Sequence, residues 1–168
     1  MSEDATERVV AVNRGVERSE EAGPSRGEPH RALEAWIGRW INQGHTLDER
    51  GNADLPITTS DVYEWAPGGF FVLHTAYGRI GTFDGGAVEL IGYDDATGDY
   101  VSNLFDSAGN HSTHRLVANG DTWTYYGATT RATVVFSDGN TVQTVQHERT
   151  DDGSTFVSSM HVTLVKVT

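Results

Sequence analysis

Residues 63–78, YEWAPGGFFVLHTAYG, contain two candidate strands joined by a tight turn. Pro67, Gly68 and Gly69 are residue types that turns favour, and the aromatic and β-branched residues on either side are typical of strands. The second half is apolar until His74 interrupts it. An ionisable group within an apolar strand needs a partner, so this histidine indicates a candidate site.

The same strand-and-turn pattern continues from Gly38 to the C-terminus. Short runs rich in Val, Thr, Tyr, Phe and Trp alternate with turn signals at residues 84–86 (DGG), 97–98 (TG), 108–110 (AGN), 119–120 (NG), 138–139 (DG) and 152–153 (DG). A meander of about 9–10 strands usually closes on itself and so hides its edges. We therefore predict an all-β fold, a single antiparallel up-and-down β-barrel, with a two-sheet sandwich as the alternative.

The N-terminal region differs from the rest. Residues 1–28 contain seven acidic residues and four arginines among Gly, Ser and Pro, without an aromatic residue. Such a composition cannot bury enough apolar surface to order itself, which predicts a flexible acidic tail over 1–28 and a barrel domain over 29–168. One short helix is expected at their junction, because Pro29 suits the first turn of a helix and Gly38 is a residue type that commonly ends one. Its apolar stripe comprises Ala32, Leu33, Ala35, Trp36 and Ile37.

Composition and net charge limit the classes of partner that this protein can bind. The formal net charge of the 168 residues is −12 and the pI is about 4.8, which disfavours binding to nucleic acid or to an anionic membrane. No cysteine is present, so disulfides and thiolate metal sites are excluded. No signal-peptide pattern or membrane-spanning apolar run is found, and a cytoplasmic protein is expected. A homodimer is compatible with the sequence.

The helix, followed by Gly38-Arg39-Trp40 and a long meander, resembles the calycin superfamily of lipocalins, fatty-acid-binding proteins and nitrobindins. The stretches YEWAPGGFF, ELIGYD, FDSAGN and MHVTLVKV are similar to a bacterial lipocalin-like domain family of unknown function. The resemblance covers residues 30–168. It implies a calycin-like barrel with an internal cavity, and no particular reaction.

Turn positions set strand register, and register sets which side chains share a face. The turns place Tyr93 opposite Tyr100, Ser102 opposite His114, and His74 opposite Glu89. A two-residue turn at Asn119-Gly120 would place Leu116 opposite Trp123 and His114 opposite Tyr125. The face predicted to point inward then carries Phe70, Val72, His74, Glu89, Ile91, Tyr93, Tyr100, Ser102, Leu104, His114, Leu116, Trp123 and Tyr125.

This inward face combines aromatics with a few polar groups, as small-molecule pockets do. We therefore predict binding of a small hydrophobic or aromatic molecule in the barrel. The predicted ligand contacts are Tyr63, Trp65, Phe70, Val72, His74, Tyr93, Ser102, Leu104, His114, Trp123 and Tyr125. Trp40 is expected at the closed end in a structural role. A filled interior with a self-satisfied polar network is the alternative.

An enzyme remains a second hypothesis. A Glu beside a His in a low-dielectric cavity suits acid–base chemistry, which makes His74, Glu89, His114 and Tyr125 the candidate catalytic residues of a cofactor-independent cyclase or isomerase acting on a polyketide-like substrate. The sequence contains no nucleophile elbow or phosphate-binding loop, which argues against hydrolases and kinases.

No metal or other cofactor is expected. His111 and His114 are three residues apart, so they point to opposite faces of a strand and do not form a local metal pair. The resemblance to nitrobindins implies haem as an alternative, with His161 or His147 as the axial ligand.

Overall fold

A computed structural model describes residues 24–167, which form ten strands and one short helix. Helix α1 (Glu28–Ala32) continues into a single 3-10 turn (Leu33–Ala35), so the predicted helix is shorter and tighter than its apolar stripe indicated. The strands are β1 (Gly38–Leu47), β2 (Ala53–Trp65), β3 (Phe71–Ile80), β4 (Phe83–Asp94), β5 (Asp99–Asp106), β6 (His111–Asn119), β7 (Thr122–Tyr126), β8 (Thr130–Ser137), β9 (Val142–Arg149) and β10 (Val157–Val167). The predicted acidic tail lies outside the described residues except for 24–28.

The ten strands form one closed antiparallel barrel. Each strand pairs with its neighbour in sequence, and β10 returns to pair with β1 from Arg39 opposite Val167 to Thr46 opposite Met160. Closure leaves no unpaired strand edge in the wall. The predicted up-and-down barrel is confirmed, and the sandwich alternative is wrong. No helix within the described range is long and apolar enough to cross a membrane.

Glycines allow the wall to close. A Cβ placed on Gly44 would lie 2.1 Å from the carbonyl oxygen of His161, and one on Gly78 would lie 2.2 Å from that of Thr58. Only glycine permits the neighbouring backbone to approach this closely. At these positions, therefore, β1 comes close to the backbone of β10, and β3 to that of β2.

The predicted register is confirmed across β3, β4, β5 and β6. His74 lies opposite Glu89, Tyr93 opposite Tyr100, and Ser102 opposite His114.

The predicted register of the next hairpin is wrong by two residues. Asn119 pairs with Thr122, so the loop consists of Gly120 and Asp121, and Leu116 lies opposite Tyr125. Gly120 has a φ of 59°, as the first loop position of a type II′ turn requires. A shift of two residues leaves every side chain on its original face, so the predicted inward face is retained.

Trp36, just after the 3-10 turn, fills one end of the barrel. Its side chain is 1% exposed, and its ring centroid lies 5.0 Å from that of Phe136, 5.4 Å from Tyr63 and 5.6 Å from Trp123. The indole N–H of Trp40 donates a 3.0 Å hydrogen bond to the Trp36 carbonyl, which ties this plug to β1. We call this the closed end of the barrel and the opposite one the open end.

Candidate functional site

His74 lies in the barrel between two buried carboxylates. Its Nδ1 is 2.9 Å from Oε2 of Glu89 on β4, and its Nε2 is 3.0 Å from Oδ1 of Asp61 on β2. All three residues are buried, with exposed fractions of 8%, 4% and 4% for His74, Glu89 and Asp61. Strand alternation points each of them inward from neighbouring strands.

Two hydroxyl groups complete the hydrogen bonding of the carboxylates. The Thr59 hydroxyl donates to Oδ2 of Asp61 at 2.6 Å, and the Ser102 hydroxyl donates to Oε1 of Glu89. Each carboxylate therefore accepts one ring N–H and one O–H, as buried charges require. We call Thr59, Asp61, His74, Glu89 and Ser102 the buried charge cluster; it crosses four adjacent strands, β2 to β5.

His74 carries a positive charge at neutral pH. Burial opposes this charge, but the hydrogen bonds and negative charges of Asp61 and Glu89 outweigh burial and raise the pKa of His74 to about 9. The ring of Tyr63 stacks on the imidazole at 3.9 Å with an interplanar angle of 6°. An aromatic face stabilises a cation at this distance, so the stack supports the charged form.

Both ring nitrogens of His74 are thus used within the protein. For His74 to contact a ligand through nitrogen, or to exchange a proton with one, a hydrogen bond to Asp61 or Glu89 would have to break. The arrangement makes His74 a fixed part of the wall, with both ring nitrogens already hydrogen-bonded to carboxylates.

Beyond the buried charge cluster, the middle of the barrel is less completely filled by side chains than the closed end. Inward-facing side chains in the middle of the wall are only half-buried: Asn42, Thr59, Ala76, Leu104, Ser112, His114, Tyr125, His147 and Met160. Because the wall is closed, the exposed surface of these side chains faces the interior. We call this space the lumen; it lies on the open-end side of the Trp36 plug.

Two histidines line the lumen without a charged partner. Nδ1 of His114 is buried and has no hydrogen-bond partner, and the ring lies so close to Gly127 that a Cβ there would be 2.8 Å from its Cδ2. His147 lies between Ala132 and Met160, where a bulge at residues 158–160 shifts the register of β10. Burial lowers the pKa of His114, and it lowers that of His147 to about 4.

The predicted ligand contacts fall into two groups. His74, Ser102, Leu104, His114 and Tyr125 lie around the lumen or in the buried charge cluster. The closed-end group packs around Trp36 or beneath the helix and comprises Tyr63, Trp65, Phe70, Val72, Tyr93 and Trp123.

The other predicted histidines lie outside the lumen. His161 is exposed on the outer face opposite His45 and does not point into the barrel. His111 stacks on Phe105 outside the barrel, with ring centroids 4.5 Å apart. In residues 24–167, no three His, Cys, Asp or Glu side chains are placed to hold a metal ion.

Sequence reasoning missed Asp61 and Trp36. Asp61 is two residues from Tyr63 and therefore lies on the same strand face. This spacing is the sequence signal that could have identified Asp61 as an inward-facing residue. Trp36 was predicted only as a member of the apolar stripe of the helix, and not as the residue that fills the end of the barrel. Gln143 was missed as well: it is 1% exposed, and its Nε2 has no partner.

The histidines predict a stability maximum near pH 6.5. The pKa of His74 rises from 6.5 to about 9 on folding, so its stabilisation is complete below pH 6.5 and is lost as the pH rises through 9. The pKa of His147 falls from 6.5 to about 4, so protonation of the unfolded state lowers stability as the pH falls below 6.5. Urea unfolding across this range should show both limbs. His147→Gln should flatten the acid limb only, and an unchanged limb would contradict the assignment.

Comparison with known proteins gives the family of the chain. No curated protein matches it. Among solved structures, the chain is similar to an S-type phycobiliprotein lyase, CPES, from Guillardia theta, with 9% sequence identity, a TM-score of 0.49, and coverage of 85% of this chain and 94% of that one. A family model described as a protein of unknown function, DUF1579, matches residues 25–165. The chain therefore belongs to the DUF1579 family.

Proposed function

We propose that this protein binds a small, mostly apolar molecule in the lumen. The observation that carries the proposal is that inward-facing side chains in the middle of the closed wall are only half-buried. A barrel whose interior is filled by its own side chains would bury them, as Trp36 does at the closed end.

The side chains around the lumen support this proposal. Leu104, Tyr125 and Met160 offer apolar surface, while Ala76 and Ser112 are small and leave room between the strands. Ligand pockets combine such apolar walls with a few polar groups that fix orientation.

His114 is the polar group best suited to meet a ligand. Its buried Nδ1 lacks a partner, and leaving a buried nitrogen unpaired is unfavourable. The pKa of His114 is lowered by burial, so its ring is neutral at pH 7 and can accept or donate one hydrogen bond. A ligand with a polar handle next to this ring would satisfy it.

A fluorescent probe with a filling variant tests the proposal. We expect the uncharged dye N-phenylnaphthylamine to bind with enhanced fluorescence, and Ser112→Trp to weaken this binding by at least about tenfold, because an indole would occupy the lumen. Thr113→Trp is the matched control: Thr113 is the next residue on β6, and it is exposed on the outer face.

Two results would overturn the proposal. The first is that the dye does not bind to the folded wild-type protein. The second is that the dye has equal affinity for both variants, which would show that it binds outside the barrel. Far-ultraviolet circular dichroism of both variants confirms that the comparison is made between folded barrels.

A further inference from the structure

Charged groups are distributed unequally between the two faces of the barrel wall. Between its ends, the inward face of the described chain carries Asp61, Glu89 and His74 as its charged groups. Two carboxylates and one imidazolium leave this region with a net negative charge. The selectivity inferred from it rests on the function proposed above.

Three arginines on the strands of the wall point outward and are paired there. Arg79 binds Asp84 at 2.7 Å, Arg115 binds Asp99 at 3.0 Å, and Arg131 binds Glu148 at 2.6 Å, each between exposed or half-buried side chains. None of these guanidinium groups faces the lumen.

The remaining Lys and Arg side chains in residues 24–167 lie near the two ends of the barrel. At the closed end, Nζ of Lys166 is 4.7 Å from the ring centroid of Trp40, and the guanidinium of Arg26 is 4.1 Å from that of Trp65. Arg31, on the helix, and Arg39, at the start of β1, are exposed there.

The open end has its own mixture of charges. A cavity of about 510 Å³ at this end is lined in part by Arg50 and Arg149, together with Asp48, Glu49 and Asp151. The three carboxyl groups exceed the two guanidinium groups, so the rim does not offer an excess of positive charge.

The histidines do not supply the missing positive charge. His74 already shares its charge with two carboxylates, and burial lowers the pKa of both His114 and His147, which keeps them neutral at pH 7. An anionic head group in the middle of the lumen would lose its hydration and meet no unpaired cation there. An N–H or O–H donor would instead find carboxylate oxygens and a neutral imidazole.

We propose that the lumen selects apolar molecules whose polar head is uncharged or an amine, and that it rejects their carboxylate counterparts. The buried charge cluster sets this preference, because it places fixed negative charge in the middle of the wall, where no inward lysine or arginine opposes it; the inward-facing Arg149 lies at the open rim.

Competition between three ligands with the same chain tests this selectivity. Dodecanol, dodecylamine and dodecanoate are titrated against bound N-phenylnaphthylamine at pH 7, below their micelle concentrations. We expect dodecanol and dodecylamine to displace the dye, and dodecanoate to require at least about tenfold higher concentration. Equal displacement by dodecanoate would overturn the selectivity while leaving the lumen site intact. A dye that does not bind in the lumen would overturn both proposals.

Two variants connect the selectivity to the residues named. Glu89→Gln removes one negative charge with little change of shape, and the ratio of dodecanoate to dodecanol concentrations needed for half-displacement should fall severalfold. Glu64→Gln, on the outer face of the neighbouring strand β2, is the matched control and should leave the ratio unchanged. Ser112→Lys adds an inward cation without altering the buried charge cluster, and it should lower the ratio as well. A ratio that stays the same in both Glu89→Gln and Ser112→Lys would overturn the assignment.

Discussion

Replacing His74 with alanine is expected to lower the free energy of unfolding by about 3–5 kcal/mol, the range for breaking a buried ion pair. The substitution leaves Asp61 and Glu89 buried and facing each other, without the cation that lies 3.0 and 2.9 Å from them. It also removes the stacking partner of Tyr63. Urea denaturation near pH 6.5, followed by tryptophan fluorescence, measures the change.

His161→Ala is the control for this prediction. His161 is an exposed histidine on the outer face of the barrel, so its loss should change the unfolding free energy by no more than about 0.5 kcal/mol. If His74→Ala were as mild as this control, the buried charge cluster would not be an important source of stability.

Replacing Trp36 with alanine should cost about 3–5 kcal/mol, because it empties the closed end of the barrel. The indole is 1% exposed and contacts the rings of Tyr63, Trp123 and Phe136. Trp36→Phe should recover most of this loss, since the buried indole N–H has no hydrogen-bond partner to lose.

Trp65→Ala provides a tryptophan control at the same end. Trp65 is only half-buried, and it contacts Glu34 and Arg26 at the surface. We expect its loss to cost about 1–2 kcal/mol, the ordinary range for a point substitution. A Trp36→Ala protein no less stable than Trp65→Ala would mean that the plug contributes little to the core.

The architecture could be predicted because it depends on local signals. Turn residues mark the hairpins, and period-two alternation then assigns faces, which is how His74 was correctly placed opposite Glu89. The error in the register of the hairpin at Gly120 did not change the predicted faces. A slip of two residues moves each pairing along the strand but leaves every side chain on its original face.

The composition of the site depends on contacts that local signals do not encode. Trp36 contacts Phe136 only after the whole barrel has folded, because the two residues are far apart in the sequence. The position of Trp36 in a helical pattern therefore does not predict that contact. Whether the interior is filled or open depends on the summed volumes of side chains from many strands. The alternation of residues along a strand gives the direction of each side chain but not this total volume. Asp61 can be predicted as the second partner of His74 only if the register of β2 against β3 is known. The glycine-rich turn between these strands does not define that register from the sequence alone.

The pairing of β1 with β10 has a consequence for synthesis on the ribosome. Arg39 meets Val167 and Thr46 meets Met160, so the wall is completed by segments from opposite ends of the barrel sequence. Until β10 has been translated, β1 and β9 each expose a backbone edge that can pair with another nascent chain. Contacts between such distant segments also form slowly. The growing polypeptide is therefore most exposed to aggregation in the interval before its tenth strand emerges.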